Sequence, residues 1–399
     1  MAPHRPETAE VQGRRARIAV AALFLTNGAV FANLLPRYPE IKSDLGLSNS
    51  VYGAAVAAFS AGALAAGLTA GTLIRRYGSS RVAVVGTIGI GFFVVLAGVA
   101  TSPVLLAAGL FAAGACDSVT DVAQNAHGLR VQRIYGRSII NSLHAVWAAG
   151  AIIGGVMGGA AVVLGVPRAL HLGFSAVLCS VVVLVAYRHL LPVPDHDGHQ
   201  EARADRGGSA GAAVYAALLA LVLIAVAGAT VEDAGNSWAV LYLRDAFGAS
   251  GPIAVTGYIA AATFLFIGRL VGDRLVDRFG ERAVVRAGGA ITAIGMGLAL
   301  AFPSIAGTIA GFAMAGFGVA TLVPSAMHAA DQLPGLRPGS GLTILTWLMR
   351  IGFFAAPVLV GAIADATSLR TGLLDVPIAG VLVVLVSGVL SARRRQTRS

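Results

Sequence analysis

Long apolar segments recur along the whole chain, and their length limits the folds that the chain can adopt. Each contains about 20 residues, which suits a helix that crosses a hydrocarbon core of roughly 30 Å; a barrel strand would be about half as long and would alternate in polarity. We identify twelve such segments, at 18–38, 51–74, 82–101, 104–129, 139–163, 168–188, 212–242, 252–273, 284–302, 304–328, 341–363 and 371–391. The sequence therefore predicts an all-α integral membrane protein with twelve transmembrane helices.

The charged residues are few, and their placement predicts an orientation. They make up 12% of the chain, whereas a soluble domain contains about 25%. The net charge of +10 does not indicate nucleic-acid binding, because most of the 29 Lys and Arg residues fall in alternate loops between the apolar segments. Since basic residues are enriched in cytoplasmic loops, both termini are predicted to be cytoplasmic, in a multi-pass protein of a bacterial cell membrane.

Several classes of function lack any signal in the sequence. The two cysteines, Cys116 and Cys179, lie inside predicted helices without metal-binding or redox spacing. We find no phosphate-binding loop, no cluster of metal ligands and no nucleophile with an adjacent base. The sequence therefore predicts neither an enzyme nor an ATP-driven pump, and it implies no cofactor and no metal.

The two halves of the chain align at one constant offset in residue number. The segment "RYG" at 76–78 aligns with "RFG" at 278–280, and Gly150 aligns with Gly352. Parallel repeats of this kind occur in transporters built from two related helix bundles. The predicted parts are a cytoplasmic tail (1–17), an N-terminal six-helix bundle (18–190), a cytoplasmic linker (191–211), a C-terminal six-helix bundle (212–391) and a basic cytoplasmic tail (392–399).

A short basic loop follows the second apolar segment and recurs in the second half. The first copy, "GTLIRRYGSSR" at 71–81, contains Gly71, Leu73, Arg76, Gly78 and Arg81. The second copy, "DRLVDRFGER" at 273–282, contains Leu275, Asp277, Arg278, Gly280 and Arg282. The helix number, the repeat and the paired loops together resemble the major facilitator superfamily. The segments "DVAQNAHG", "SLHAVWAAG" and "WAVLYLRDAFGAS" further resemble its MosC-like, sugar-permease-like bacterial branch.

The resemblance implies a gating function for these loops. In the superfamily, the loop aspartate caps the N-terminus of a helix in the opposite half and holds the cytoplasmic side shut; such a cap contributes roughly 0.3 to 2 kcal/mol. We expect Asp277 to cap the fifth predicted helix, with Arg278 as its ion-pair partner. The first copy has Arg75 in place of the aspartate, and this residue has the wrong sign for a cap. The alternative is that the loop arginines only set the orientation.

Glycines in the fifth predicted helix resemble the antiporter signature of the superfamily. Gly150, Gly154 and Gly158 match the signature, but Gly155 stands where the signature has proline. The resemblance favours antiport. The alternative is that small residues spaced by four simply let two helices pack closely.

Two carboxylates lie within the fourth predicted helix, in "GACDSVTDVAQNAHG" at 114–128. A charged side chain at the centre of a bilayer costs about 2.5 to 3.5 kcal/mol on insertion scales. Asp117 and Asp121 share one helix face, which Gln124 and Asn125 extend. By depth, the predicted proton-coupling residues are Asp121, Asp117, His144 and Arg350, with Asp121 favoured.

The proposed coupling has a physical basis and one alternative. Burial disfavours the ionised form of a carboxyl and a nearby cation favours it, so their competition can bring proton binding into the physiological range. The alternative is that an aspartate only neutralises Arg350.

A second acidic pair, Glu232 and Asp233, lies in the seventh predicted helix, which Gly235 and Asn236 are expected to weaken or break. This pair lies either in the substrate cavity or at the outer rim. The remaining predicted cavity residues are Asn27, Phe31, Asn33, Gln124, Asn125, Trp147, Asn236, Trp238 and Trp347. The tryptophans are either cavity residues or packing residues.

These features predict a monomeric secondary transporter of a small polar or amphipathic organic solute, coupled to protons and working by alternating access. The sequence favours efflux by proton antiport. The alternatives are uptake of a sugar-like solute by proton symport and, less favoured, a transport-inactive membrane sensor or scaffold. The expected partners are the solute, protons and the lipid bilayer, without nucleic acid.

Overall fold

The computed structural model describes residues 9–135, 139–191, 211–336 and 340–390. Every regular element within these ranges is a helix. Twelve helical segments of the described chain are long and apolar enough to cross a membrane. The predicted all-α architecture with twelve transmembrane helices is confirmed. Most of the predicted linker (192–210), part of the predicted N-terminal tail (1–8) and the whole predicted C-terminal tail (392–399) lie outside the described residues.

The principal helix of each span is labelled α1 to α12 in chain order. They are α1 (Ala9–Ala32), α2 (Asn49–Gly67), α3 (Ser79–Gly98), α4 (Pro103–Tyr135), α5 (Ile140–Val163), α6 (Arg168–Tyr187), α7 (Ala212–Asp233), α8 (Gly251–Phe279), α9 (Glu281–Ala301), α10 (Ile305–Val319), α11 (Ser340–Ala366) and α12 (Asp375–Val386). Shorter helices adjoin several of them, at Tyr38–Asp44, Ala70–Tyr77, Ala239–Phe247, Leu322–Asp331 and Leu369–Gly372. Helices suit these apolar segments because a helix satisfies its backbone hydrogen bonds internally, without water.

Helix α7 changes its winding at the position where the sequence predicts a weak helix. A π-helical segment, Ala234–Trp238, follows α7 and leads into the helix Ala239–Phe247. The chain thus remains helical across the span, with one wide turn that contains Gly235 and Asn236. Wide turns of this kind often mark functional sites in helices.

The tenth span is interrupted, which the hydropathy pattern does not predict. Helix α10 ends at Val319, and a second helix runs over Leu322–Asp331. Pro324 lies in the first turn of that second helix. Proline has no N–H to donate and its ring clashes with the preceding turn, so a continuous helix through this position is disfavoured.

The two copies of the basic loop have the same local conformation. Gly78 has φ 83° and ψ 148°, and Gly280 has φ 86° and ψ 152°. L-residues with a side chain rarely adopt this region, so glycine is required at both positions. The preceding arginines, Arg76 and Arg278, each lie 5.3 Å from the ring centroid of the next residue. The repeat seen in the sequence therefore extends to backbone geometry.

The described chain divides into two compact units. The first contains the residues up to Arg37, the end of α2 from Ala61, and α3 to α6. The second contains Tyr38–Ser60 and α7 to α12. The sequence repeat assigns residues 38–60 to the N-terminal half of the chain, but their contacts are with the second unit.

The start of α2 is held in the second unit by a carboxylate cap. Asp365, at the end of α11, accepts the backbone N–H of Asn49 over 2.8 Å and that of Ser50 over 2.7 Å. The first N–H groups of a helix have no partner within the helix, so a carboxylate there is stabilising. In addition, the hydroxyl of Tyr52 donates to the carbonyl oxygen of Ser237 over 2.7 Å.

Candidate functional site

Three polar side chains from α1, α4 and α5 form a chain of hydrogen bonds in the first unit. The indole Nε1 of Trp147 donates to Oδ1 of Asn27 over 2.7 Å, and Nδ2 of Asn27 donates to Oδ1 of Asp117 over 3.1 Å. An indole N–H can only donate, so it fixes the amide with its oxygen toward Trp147 and its nitrogen toward Asp117. Asn27 is buried, whereas Asp117 and Trp147 are half-buried. The chain joins a titratable carboxyl to an aromatic side chain.

Glycines bring α1 and α5 close enough for this contact. A Cβ atom on Gly28 would collide with the carbonyl oxygen of Trp147, and one on Gly150 would collide with that of Leu25. The two backbones therefore touch at these positions. The residue after Asn27 and the second turn of α5 are in direct contact, which places the Asn27 amide beside the Trp147 indole.

Asp121 and Asn125 form a second polar pair, one turn further along α4. Nδ2 of Asn125 donates to Oδ1 of Asp121 over 3.0 Å and to the backbone oxygen of Asp121 over 2.8 Å. Both side chains are half-buried, like Asp117. Asn125 thus extends the polar face that the sequence predicts.

Gln124, the fourth predicted member of this face, is enclosed within the unit. Its side chain is 1% exposed, and neither of its amide atoms has a hydrogen-bond partner in the described chain. Thr120, one turn earlier, is also fully buried and its hydroxyl has no partner among the described residues. Buried polar groups normally have partners, including ordered water, so these two residues mark a polar spot in the interior.

Three further residues predicted from the sequence, Asn33, His144 and Phe31, also belong to the first unit. Asn33 is buried, donates to the backbone oxygen of Ala29 over 2.8 Å and lies 2.9 Å from Nε2 of His171. His144 is exposed, and its ring packs edge-on against Phe24 with 5.4 Å between centroids. Phe31 is half-buried. The amide of Asn33 is therefore used in packing α1 against α6.

In the second unit, the two predicted carboxylates have different surroundings. Glu232 pairs with Arg269 of α8, with 3.2 Å between Oε2 and the guanidinium nitrogen. Asp233 is 7% exposed; its Oδ1 accepts the hydroxyl of Ser237 over 2.9 Å, and its Oδ2 has no hydrogen-bond partner in the described chain. Asn236 is half-buried. Asp233 therefore lies inside its unit rather than at a wet rim.

The predicted aromatic and cationic residues of the second unit differ in their exposure. Trp238 is fully buried, and its ring packs edge-on against Tyr52 with 5.1 Å between centroids. Trp347 is half exposed and Arg350 is half-buried, both on α11. Because Arg350 and the α4 carboxylates belong to different units, their predicted common layer stays a prediction.

His127 is a buried polar residue that the sequence analysis did not identify. Its Nδ1 lies 2.9 Å from the hydroxyl of Ser79, and its Nε2 accepts the backbone N–H of Leu191 over 3.2 Å. His127 of α4 therefore contacts both the start of α3 and the segment that follows α6. The pattern "NAHG" contains the residue, but nothing in the sequence places its partners beside it.

The family follows from the sequence as a whole. The sequence profile of the Major Facilitator Superfamily matches residues 20–275 and 223–399. The chain belongs to this superfamily. It is thus a transporter rather than an enzyme, and a multi-pass bacterial membrane protein.

Similar proteins extend over nearly the whole chain. The uncharacterized transporter y4wD of Sinorhizobium fredii is 30% identical over 378 residues, which are 93% of this chain and 97% of that protein. The membrane protein MosC of Rhizobium meliloti is 27% identical over 92% of this chain and 88% of its own length. The crystal structure of a D-xylose-proton symporter superposes with a TM-score of 0.71 at 16% identity, covering 95% of this chain and 96% of that one. This last likeness shows a shared fold.

The last arginine in each copy of the superfamily loop forms hydrogen bonds to the end of the final helical segment of its own unit. Nε of Arg81 donates to the hydroxyl of Tyr187 over 3.3 Å, and Arg282 donates to the backbone oxygens of Leu390 and Gly388 over 2.8 and 2.7 Å. Gly71 is half-buried beside Arg75.

The cytoplasmic cap expected from the superfamily stays a prediction. Asp277 is exposed at the end of α8, and the helix that it was predicted to cap belongs to the other unit. Arg278, its predicted ion-pair partner, lies over the ring of Phe279.

The superfamily's antiporter glycines face α1 in this structure. A Cβ atom on Gly154 would collide with the carbonyl oxygen of Ala29, and one on Gly158 would lie 2.7 Å from that of Asn33. With Gly150, these residues form one line along the contact between α1 and α5. Close helix packing therefore accounts for the pattern without reference to the direction of transport.

Proposed function

We propose that this protein is a proton-coupled secondary transporter of a small polar or amphipathic organic solute, working by alternating access. The proposal depends chiefly on the hydrogen-bonded chain from Trp147 through Asn27 to Asp117. A carboxyl supplies the proton site, and the amide and the indole are groups that bind polar solutes. One chain of contacts thus connects proton binding to solute binding.

The coupling follows from the capacity of each atom to donate or accept. Ionised Asp117 accepts the N–H of Asn27, and protonation of Oδ1 turns that oxygen into a hydroxyl, which is a weaker acceptor. A hydroxyl or carbonyl group of a solute can then compete for the N–H of Asn27. Because the same amide holds the indole of Trp147, the change at the carboxyl also alters the position of the aromatic ring.

Asp117 replaces Asp121 as the first carboxyl to test. The sequence analysis favoured Asp121 because of its depth relative to His144. In the structure, Asp117 is bonded to another helix, whereas Asn125, which bonds Asp121, lies on α4 itself. A bond between helices changes when helices move, so the bond from Asn27 places Asp117 to couple protonation to a conformational change.

The proposal has two candidates for the direction of transport, of which efflux by proton antiport is the first. The preference for antiport was based on the glycines of α5, and packing against α1 accounts for them. The shared fold with a D-xylose-proton symporter supports symport of a sugar-like solute as the second candidate. Carboxylate, amide and indole groups suit hydroxyl-rich solutes, because they hydrogen-bond to hydroxyls and cover an apolar sugar face.

The test uses purified protein in liposomes that enclose a pH-sensitive dye. Pentoses, hexoses and cationic dyes are added outside in turn, without an imposed gradient. Entry with protons acidifies the lumen, and entry in exchange for protons makes it alkaline, so the sign identifies symport or antiport. We expect Asp117→Asn to reduce the solute-induced pH change to that of protein-free liposomes.

The matched control is Asp331→Asn, an exposed aspartate at the end of the helix Leu322–Asp331, which should behave as the wild type. A wild-type pH change in Asp117→Asn would contradict the assignment of the proton to Asp117. Solute entry without any pH change in the wild-type protein would contradict proton coupling itself.

A further inference from the structure

Two carboxyl groups of the second unit, those of Asp233 and Asp375, each have a buried oxygen atom. Asp233 at the end of α7 is 7% exposed, and Asp375 begins α12, which packs against α7. Asp233 is the last residue of α7 and Asp375 the first residue of α12, so the packing of these two helices brings both carboxyls to one part of the unit. Oδ2 of Asp233 and Oδ1 of Asp375 are both buried without a hydrogen-bond partner in the described chain.

A buried hydroxyl reaches the same place from another element. Tyr38, in the helix Tyr38–Asp44, is 2% exposed, and its hydroxyl has no hydrogen-bond partner among the described residues. Its ring packs against that of Tyr52 with 5.6 Å between centroids, and the hydroxyl of Tyr52 donates to the backbone oxygen of Ser237. The hydroxyl of Ser237 in turn donates to Asp233. A continuous set of contacts therefore links Tyr38 to Asp233.

The cations of this unit do not neutralise the pair. Within the described residues, neither Asp233 nor Asp375 has an ion-pair partner, and Arg269 is paired with the neighbouring Glu232. Several other titratable groups on the surrounding elements have partners of their own. They are Lys42 with Asp245, Tyr52 with the oxygen of Ser237, Asp365 with the start of α2, Arg370 with the oxygen of Ala301, and His328 with Glu281 and Gln332. Arg350 of α11 also has an interaction of its own.

Two ionised carboxylates cannot share such a site without a cation. Burial disfavours each charge, and the proximity of a like charge disfavours it further. A proton on one carboxyl removes the repulsion between the two charges. The protonated carboxyl can also donate a hydrogen bond, which the unpartnered oxygens of the pair otherwise lack. An ordered water would then satisfy the remaining atoms, including the hydroxyl of Tyr38.

We propose that Asp233 and Asp375 form a second proton-binding site, a buried carboxyl pair that holds a proton in the second unit. The site goes beyond the proposed coupling at Asp117, because it lies in the other unit and needs no solute to be observed. If transport is proton-coupled as proposed, the pair is a place where a second proton enters the cycle.

The first test detects the proton directly. Infrared spectra of the full-length protein in lipid are recorded near neutral pH for the wild type, Asp233→Asn, Asp375→Asn and the control Asp331→Asn. We expect the wild type and the control to show the carbonyl stretch of a protonated buried carboxyl, and both pair variants to lose it. A band with the wild-type position and intensity in both pair variants would overturn the proposal.

The second test uses the pH dependence of stability. The native pair binds a proton that the unfolded chain releases, so the wild-type unfolding temperature should fall as pH rises from about 5 to about 9. Asp233→Asn and Asp375→Asn should flatten that dependence, whereas Asp331→Asn should keep it. The wild-type slope in both pair variants would contradict the proposal. Stabilisation of the wild type by Na⁺ at high pH, absent in the variants, would identify a sodium site instead.

These outcomes are separate from those of the transport assay. Loss of the infrared band in the pair variants stands even if Asp117→Asn transports normally. Conversely, the absence of a protonated pair leaves the assignment of Asp117 unchanged.

Discussion

Single residues show how far the sequence can identify a site. Asp117 was predicted because a carboxylate in a membrane helix is costly, and Asn27 and Trp147 were predicted as polar and aromatic candidates. Their mutual hydrogen bonds were not predicted, because Asn27 lies 90 positions from Asp117 and 120 from Trp147. Asp375 was missed altogether, since a carboxylate at the start of a helix resembles an ordinary cap in sequence.

The indole N–H of Trp147 gives a prediction at this scale. Trp147→Phe keeps an aromatic ring but removes the donor that fixes the Asn27 amide, so Asn27 can turn its oxygen toward Asp117. Loss of one hydrogen bond of about 1 kcal/mol corresponds to a decrease of roughly fivefold in solute-induced proton flux. The liposome dye assay measures this flux.

Tyr215→Phe is the matched control, because it also removes one N–H or O–H donor from an aromatic ring, at an exposed position near the start of α7. It should retain wild-type flux. Equal fluxes in Trp147→Phe and the wild type would show that the indole N–H has no role in coupling.

At the scale of helices, hydropathy predicts what the membrane itself requires. The apolar segments became the twelve spans because each must be long enough to cross and must satisfy its own backbone. The wide turn after α7 agrees with the weak segment at Gly235 and Asn236. The interruption after α10 was not predicted, because the hydropathy pattern continues through Pro324 while the backbone hydrogen bonds do not.

The line of glycines on α5 gives a prediction about helix packing. In Gly150→Ala, the new Cβ collides with the carbonyl oxygen of Leu25, so α1 must move away from α5. We expect a loss of about 1 to 3 kcal/mol of stability, as for other overpacked contacts. Thermal unfolding in detergent measures the change, and the contact between Asn27 and Trp147 should weaken with it.

Gly173→Ala is the control for this variant, because a Cβ atom there would meet no neighbouring atom within 4 Å. It should be neutral or slightly stabilising, since alanine is the better helix former. If Gly150→Ala keeps wild-type stability but reverses the sign of the proton flux, the glycines determine direction as in the antiporter signature, and packing is not their main role.

For the molecule as a whole, the internal repeat predicted the backbone conformation of the second half better than the identity of its side chains. Gly78 and Gly280 adopt nearly the same dihedral angles, as their alignment implies. Side chains in the two halves differ at the positions proposed to bind protons: Asp117 aligns with Val319, and the acidic residues of the second unit lie on α7 and α12 instead. A repeat preserves the fold through its glycines and turns, whereas each half can change its titratable groups independently.

The orientation in the membrane is the prediction that concerns the whole chain. The basic loops predict that both termini are in the cytoplasm, because Lys and Arg are retained on that side. Alkaline phosphatase, which needs disulfides and folds only outside the cytoplasm, reports the location of a fusion point. Inserted at Gly46, in the predicted outer loop before α2, it should be active; fused after Ser399, it should be inactive. Activity of the Ser399 fusion would reverse the orientation and would place Arg75, Arg76 and Arg81 outside the cell.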